Sequence, residues 1–290
     1  MDYNSLSRIL KTFQKLKKQN IGRSEDDRIV YALSAFFDAK KPWIIVQGAI
    51  HAREHLSADF VIALAFVVEH NFEKFKTDAN FPNICFVPMV NPDGVEIVHF
   101  GSKAIKNKTN QKLVKKILEG NNHRLYKSNA RGVDLNNNFD ALWGKREGKS
   151  VPSMQGYPGT HAFSERESRV LRDLTLQLLP IFTLSYHMKG EEVYWDFFQQ
   201  DKFRERDKKI AQIVASVNGY QIKSTQDSSS GGYKDWCVKC LEIPSLTIEL
   251  GRDEFDHPMQ NAEIYDIIAK NIGILDRLCD IVELIKGEKG

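Results

Sequence analysis

Two short apolar runs with a long apolar helix between them constrain this chain more than any other feature. Trp43-Ile-Ile-Val46 reads as a strand buried on both faces, Ser57 to Phe72 as a helix with Asp59 near its start, and Asn83 to Val90, with Ile84, Phe86 and Val87, as a second buried strand. Strand, helix and strand in that order describe a βαβ unit, which needs a parallel pair of strands covered by helices. Sheets of this kind open their ligand crevice beyond the carboxyl ends of the strands. Just past that end of the first strand, after the turn that Gly48 permits, stand His51 and Glu54, three positions apart. On one helical turn such a pair shares a face, and imidazole and carboxylate are both ligands of zinc.

The rest of the chain extends this pattern. Leu6, Ile9, Leu10, Phe13 and Leu16 recur at helical spacing and predict a helix over 5–19; 29–37 reads as a strand. The polar, lysine-rich middle, about 95–165, reads as long loops, which in compact domains are usually functional or mobile. A helix is expected from Ser164 to Leu179, with Ser164 and Glu167 forming a capping box. Pro180 to His187 is a strand that ends on a histidine, 201–218 a helix, Leu246 to Leu250 a late strand, and Ala262 to Ile285 one closing amphipathic helix. With no internal repeat and no linker, the expectation is a single domain over 1–290, of α/β class, with a mixed, largely parallel central sheet flanked by helices.

Composition removes several functions. A net charge of +3 from 41 basic and 38 acidic residues is too balanced to argue for nucleic acid or an anionic membrane. The six lysines between Lys103 and Lys116 read as a solvated face. No apolar run has the length of a bilayer span, and the first residues carry no basic region followed by an apolar stretch, so a cytoplasmic location is expected. Cys237 and Cys240 have CxxC spacing with no second pair to complete a zinc site; they read as incidental reduced thiols.

His51, Glu54 and His187 all fall at or just beyond strand ends, and three protein ligands with one position left for water is how a catalytic zinc site is built. Glu249 lies in an apolar strand, where a lone carboxylate is costly without a role. The ordered motifs His-x-x-Glu, Asn91-Pro-Asp-Gly94, Gly132-Val-Asp-Leu-Asn-Asn-Asn-Phe139, Ser185-Tyr-His187 and Thr247-Ile-Glu-Leu250 resemble the zinc carboxypeptidase family typified by carboxypeptidase A, over about residues 20–275. That resemblance implies one zinc ion held by His51, Glu54 and His187, with Glu249 as general base. Zinc would polarise the scissile carbonyl and acidify a water; Glu249 would pass the water's proton to the leaving amine. A cation is expected to steady the oxyanion, with Arg131 the candidate and Lys127 or Arg124 the alternatives.

Two departures from the family's pattern bear on the substrate. Its Asn-Arg pair, which clamps a peptide's terminal carboxylate, is here Asn136-Asn137, neutral and without a guanidinium fork. Its tyrosine near Ser230-Gly-Gly232 is replaced by Asp227, with Tyr233 just after the glycines, either a binding residue or a packed aromatic. Arg124 to Asn136 and Ser185 to Trp195 are similar to the bacterial γ-D-glutamyl-diamino acid peptidases. That implies a peptide or muropeptide substrate, with Lys189 and Glu191 as candidate readers of its charges or as ordinary loop charges. The expected activity is a zinc metallopeptidase acting on peptidoglycan stem peptides. The alternatives are a conventional carboxypeptidase, a deacylase of small N-acyl amino acids, and a binding homologue without catalysis.

Overall fold

The computed structural model describes residues 1–145, 148–224 and 231–287. Eight strands form one sheet: β1 (Lys17–Arg23), β2 (Ile29–Ala35), β3 (Trp43–Gly48), β4 (Asn83–Val87), β5 (Phe182–Met188), β6 (Glu192–Tyr194), β7 (Gln221–Lys223) and β8 (Ser245–Leu250), in the spatial order β1-β2-β4-β3-β5-β8-β6-β7. The centre, β4-β3-β5-β8, is parallel throughout, while β1, β2 and β6 pair antiparallel towards the edges. This is the mixed, largely parallel sheet that the apolar runs imply.

Helices cover both faces. On one lie α1 (Tyr3–Ile9), α2 (Leu56–His70), α7 (Asp201–Asn218), α9 (Ile264–Asn271) and α10 (Leu278–Gly287), which share a core with Val46, Phe86, Leu184 and Ile248 of the strands. On the other, α6 (Arg166–Leu178) and α8 (Tyr233–Cys240) pack over Ile45, Cys85 and Val87. The remaining helices, α3 (Phe72–Thr77), α4 (Pro92–Phe100) and α5 (Lys108–Ile117), follow α2 and β4 in the chain. None of the described helices is long and apolar enough to cross a membrane.

Four expectations need correction. The helix over 5–19 stops at Ile9, and β1 begins at Lys17. The Glu69 carboxylate accepts the backbone N–H groups of Gln14, Lys15 and Leu16 and holds them in a turn, from which Phe13 still reaches the core to stack on Phe66. Ser164 and Glu167 form no capping box: Glu165 occupies the N-cap of α6, Ser164 Oγ donates to Glu165 Oε1, and Glu167 turns inward to accept from Asn129. The lysine-rich middle is partly helical, since α5 runs through it with Val114 as its buried residue. The closing helix is broken between α9 and α10 by a 3-10 segment, Ile272–Arg277. There buried Asn271 donates to Tyr220 Oη at 2.9 Å and accepts from Asn218.

All four cysteines are free; Cys237 is buried, whereas Cys240 is exposed and its Sγ donates to the Asp140 carbonyl. Burial pushes the Cys237 thiol up to about 12.

Candidate metal and catalytic site

Three adjacent parallel strands build the site. β3, β5 and β8 run side by side with Gly48 opposite Tyr186 and His187 opposite Glu249, so their carboxyl ends come out together. His51 leaves β3 in extended conformation and caps the short 3-10 turn Ala52–Glu54, which places Glu54 beneath it. Ser57 fixes that turn by accepting from Ala49 N at 2.8 Å and donating to the Glu54 carbonyl at 2.7 Å. The backbones meet closely here: a Cβ on Gly48 would come within 2.9 Å of the Ser57 carbonyl.

Asn91-Pro-Asp-Gly94 supports the same turn from below. Asn91 Oδ1 caps α4 at Gly94 N, while its Nδ2 donates to the Ile50 and Ser128 carbonyls. A side chain on Gly94 would collide with the Ser128 carbonyl and with Ala52. Ala52 N in turn donates to the Lys127 carbonyl, tying the loop that carries Lys127 to the ligand turn.

The three predicted ligands converge and are almost wholly buried. His51 Nδ1 lies 2.9 Å from Glu54 Oε1, and His187 Nδ1 lies 3.2 Å from Glu54 Oε2 and 3.1 Å from His51 Nδ1. Behind His51, Asp134 Oδ1 faces the other ring nitrogen at 3.3 Å. A carboxylate there places the imidazole proton on Nε2 and leaves Nδ1 a bare lone pair. Two ring nitrogens and a carboxylate aimed at one another repel unless a cation lies among them, so the donor set fits zinc. Burial alone raises the Asp134 carboxyl, but Lys127, His51 and the N–H of Gly156 hold it well below the usual carboxylate range.

Glu249 is half-buried at the edge of this triad. Burial pushes its carboxyl up to about 7, with Glu54 and Glu192 adding to the rise and His187 and Lys127 opposing it. A carboxylate poised near neutrality suits a general base.

The other predicted residues divide. Asn136 and Asn137 lie on the 3-10 turn Leu135–Asn137 directly after Asp134, both half-buried. Asn136 Oδ1 accepts from Tyr233 N at 3.1 Å, and a Cβ on Gly231 would strike the Asn137 carbonyl at 2.8 Å, so the asparagine turn packs on the glycine pair. Tyr233 lies in the core. It is fully buried against Phe139 and Trp236, with its hydroxyl 2.9 Å from Thr175 Oγ1, because it opens α8 pointing into the core. Asp227 and Ser230 lie outside the described residues.

Arg131 is directed to Glu165 and Glu25, at 3.6 and 3.8 Å. Lys127 lies closer to the ligands' support, its Nζ standing 3.9 Å from Asp134 Oδ2. Lys189 is paired with Asp253, and Glu191 with Lys270. Asp134 is the residue to which sequence reasoning assigned no role. The signal was present in Gly-Val-Asp-Leu-Asn, an acidic residue inside a recurrent motif, but only the fold shows which histidine it backs.

The chain is similar to known proteins in sequence and in fold. Over 274 residues the chain is 26% identical to the Bacillus subtilis protein YqgT, covering 90% of this chain and 72% of that one. It is 31% identical over 201 residues to γ-D-glutamyl-L-diamino acid endopeptidase 1 of Lysinibacillus sphaericus, covering 67% of this chain and only 48% of that protein. Among solved structures, bovine thrombin-activatable fibrinolysis inhibitor bound to tick carboxypeptidase inhibitor superposes with a TM-score of 0.76 at 21% identity, covering 98% of this chain and 95% of that one. The murein-tripeptide amidase MpaA of Escherichia coli superposes with a TM-score of 0.57 at 16% identity, covering 92% and 91%. A sequence model of the family described as zinc carboxypeptidase matches residues 3–271, and with one zinc-type ligand triad at the carboxyl ends of its central strands the chain belongs to that family of hydrolytic metallopeptidases.

Proposed function

We propose that this zinc metallopeptidase cleaves the amide between a γ-D-glutamyl residue and a diamino acid in peptidoglycan stem peptides, acting as one catalytic domain. The observation that carries the reading is the Asn136-Asn137 turn beside the metal triad. Neutral amides there can hydrogen-bond a polar substrate, but they cannot form the bidentate ion pair that holds an ordinary peptide's terminal carboxylate. The likeness to a γ-D-glutamyl-diamino acid endopeptidase and to a murein-tripeptide amidase supports the same choice.

His51, Glu54 and His187 would hold the ion. Zinc bound there supplies Lewis acidity towards the scissile carbonyl and makes a water acidic. Glu249 would take the proton of the attacking water as the water's oxygen bonds to the carbonyl carbon. It would then deliver the proton to the departing nitrogen as the C–N bond breaks, and a carboxylate and an amine leave. Lys127, held at the site by Asp134 and by its own backbone bond to Ala52, supplies positive charge for the oxyanion in place of Arg131. Asp134 orients His51.

The test is turnover of L-Ala-γ-D-Glu-meso-diaminopimelate by zinc-loaded protein beside an ordinary peptide, with products identified by mass. Release of free diaminopimelate, lost in Glu249→Gln, is the expected result. Cleavage of the ordinary peptide alone refutes the stem-peptide reading and favours a conventional carboxypeptidase.

A further inference from the structure

Half of the chain's eight histidines, His55, His99, His123 and His257, line a single open cleft of about 930 Å³. Two of its lining residues are linked to the metal ligands. His55 directly follows the ligand Glu54, and His257 lies within the electrostatic reach of Glu54, Arg53 and Lys127.

Three of these imidazoles keep a ring nitrogen that no protein group meets. His55 is only 5% exposed, yet its Nδ1 has no hydrogen-bond partner, and His99 Nε2 and His257 Nδ1 are likewise buried and unpartnered. A buried polar atom left without a partner costs free energy, which a ligand reaching into the cleft would recover. His123 donates Nδ1–H to the Val98 carbonyl at 3.0 Å, which fixes its ring and leaves Nε2 as an acceptor.

The lining chemistry narrows the ligand. No Asp or Glu lines the cleft among the described residues, and the one permanent cation is Arg124. Burial lowers His99 and brings His257 down to about 4, so both rings are neutral at pH 7. A neutral imidazole offers one donor and one acceptor, and Asn122 and Asn261 add carboxamides with both functions. A polyanion would find a single partner charge. A hydroxyl-rich ligand finds a matched set, with Pro258 and Met259 to pack on its C–H face. The volume is that of an ordinary small-molecule cleft and exceeds the need of one or two amino-acid residues.

We propose that this cleft seats an amino sugar attached to the acyl half of the substrate, so that the enzyme prefers a stem peptide still carrying its sugar to the free peptide. The proposal rests on the stem-peptide reading above, and its test separates the two. L-Ala-γ-D-Glu-meso-diaminopimelate is compared with the same peptide bearing N-acetylmuramoyl on the alanine nitrogen. The sugar is expected to raise kcat/KM by about tenfold, chiefly through KM, the scale of one or two buried hydrogen bonds. His257→Ala and Asn261→Ala should erase most of that preference, and His257→Gln, which keeps a donor and an acceptor, should retain more of it. Equal turnover of both substrates overturns the proposal and leaves the stem-peptide function standing, and so does a preference that neither variant moves. If neither substrate is cleaved, the stem-peptide reading falls. Calorimetric titration with N-acetylmuramoyl-L-alanine then decides the cleft: binding that His257→Ala abolishes supports it, and absence of binding overturns it.

Discussion

Removing the carboxylate behind His51 tests the site without touching a ligand. Asp134 Oδ1 faces His51 Nε2 at 3.3 Å and has no other hydrogen bond, while Oδ2 accepts from Gly156 N at 3.0 Å and stands 3.9 Å from Lys127. Asp134→Asn keeps the size and an acceptor for the imidazole proton but loses the charge that makes His51 a stronger donor to metal. Asp134→Ala loses both. Outer partners of this kind are worth about 10- to 100-fold in metal affinity, so we expect Asn near the lower and Ala near the upper end. In free energy that range is about 1.4–2.7 kcal/mol. The assay is zinc competition against a chromophoric chelator at neutral pH, paired with thermal melts in excess chelator. At a fixed zinc excess the melt should lose metal-linked stability in proportion to the logarithm of the rise in Kd. Unchanged zinc affinity in Asp134→Ala, with the metal-free melt intact, would refute the claim that this carboxylate tunes the ligand.

Other perturbations read different parts of the fold. Glu249 must be ionised to act as base, so kcat/KM should fall as pH drops below about 7, with bound zinc moving the midpoint lower; a limb that persists in residual Glu249→Gln activity assigns it to another group. Arg28 is nearly buried between Asp26 and Asp93, at 2.9 and 2.8 Å, so Arg28→Ala should cost about 3–5 kcal/mol in urea unfolding by leaving two buried carboxylates unpaired; a loss below about 1 kcal/mol would show the network to be solvated. Tyr233→Phe should lower stability by about 0.5–1.5 kcal/mol through the lost Thr175 bond and leave KM unchanged, whereas a raised KM would return Tyr233 to the substrate.

The central strands were legible because burial on both faces leaves little freedom: a run such as Trp43-Ile-Ile-Val46 or Phe182 to Leu184 can sit only inside a covered sheet. The edges were not. β6 and β7 are three residues each, too short to show a period, and β1 carries Lys17, Lys18 and Gln19 on a surface that helical spacing describes equally well. What decides β1 is remote. Glu69, more than fifty positions along the chain, takes the N–H groups that a longer first helix would have used internally. At the break in the last helix, Asn271 is tied by its side chain to the distant Tyr220 hydroxyl. Local pattern predicts an element well only where no distant side chain competes for its backbone.

The same distinction sorts the site. His51 and Glu54 announce themselves because their contact is within one turn, His187 because strand ends are where such a sheet places its chemistry, and Glu249 because a lone carboxylate in an apolar strand is costly without a role. Arg131 and Lys127 are four residues apart in one irregular loop, and composition gives no reason to prefer either. The structure separates them by what each faces: three acidic groups, Glu25, Glu165 and Glu167, gather on the side to which Arg131 points, whereas the Lys127 carbonyl is bonded to the ligand turn and its ammonium reaches Asp134. A loop residue's role is therefore set by the backbone bond that anchors the loop, and here that bond runs from Ala52, between the two ligands, to Lys127. Asn91 and Gly94, which carry no chemistry, matter for the same reason. They hold that anchor in place, Asn91 through the Ile50 and Ser128 carbonyls and Gly94 by leaving room for Ser128 and Ala52.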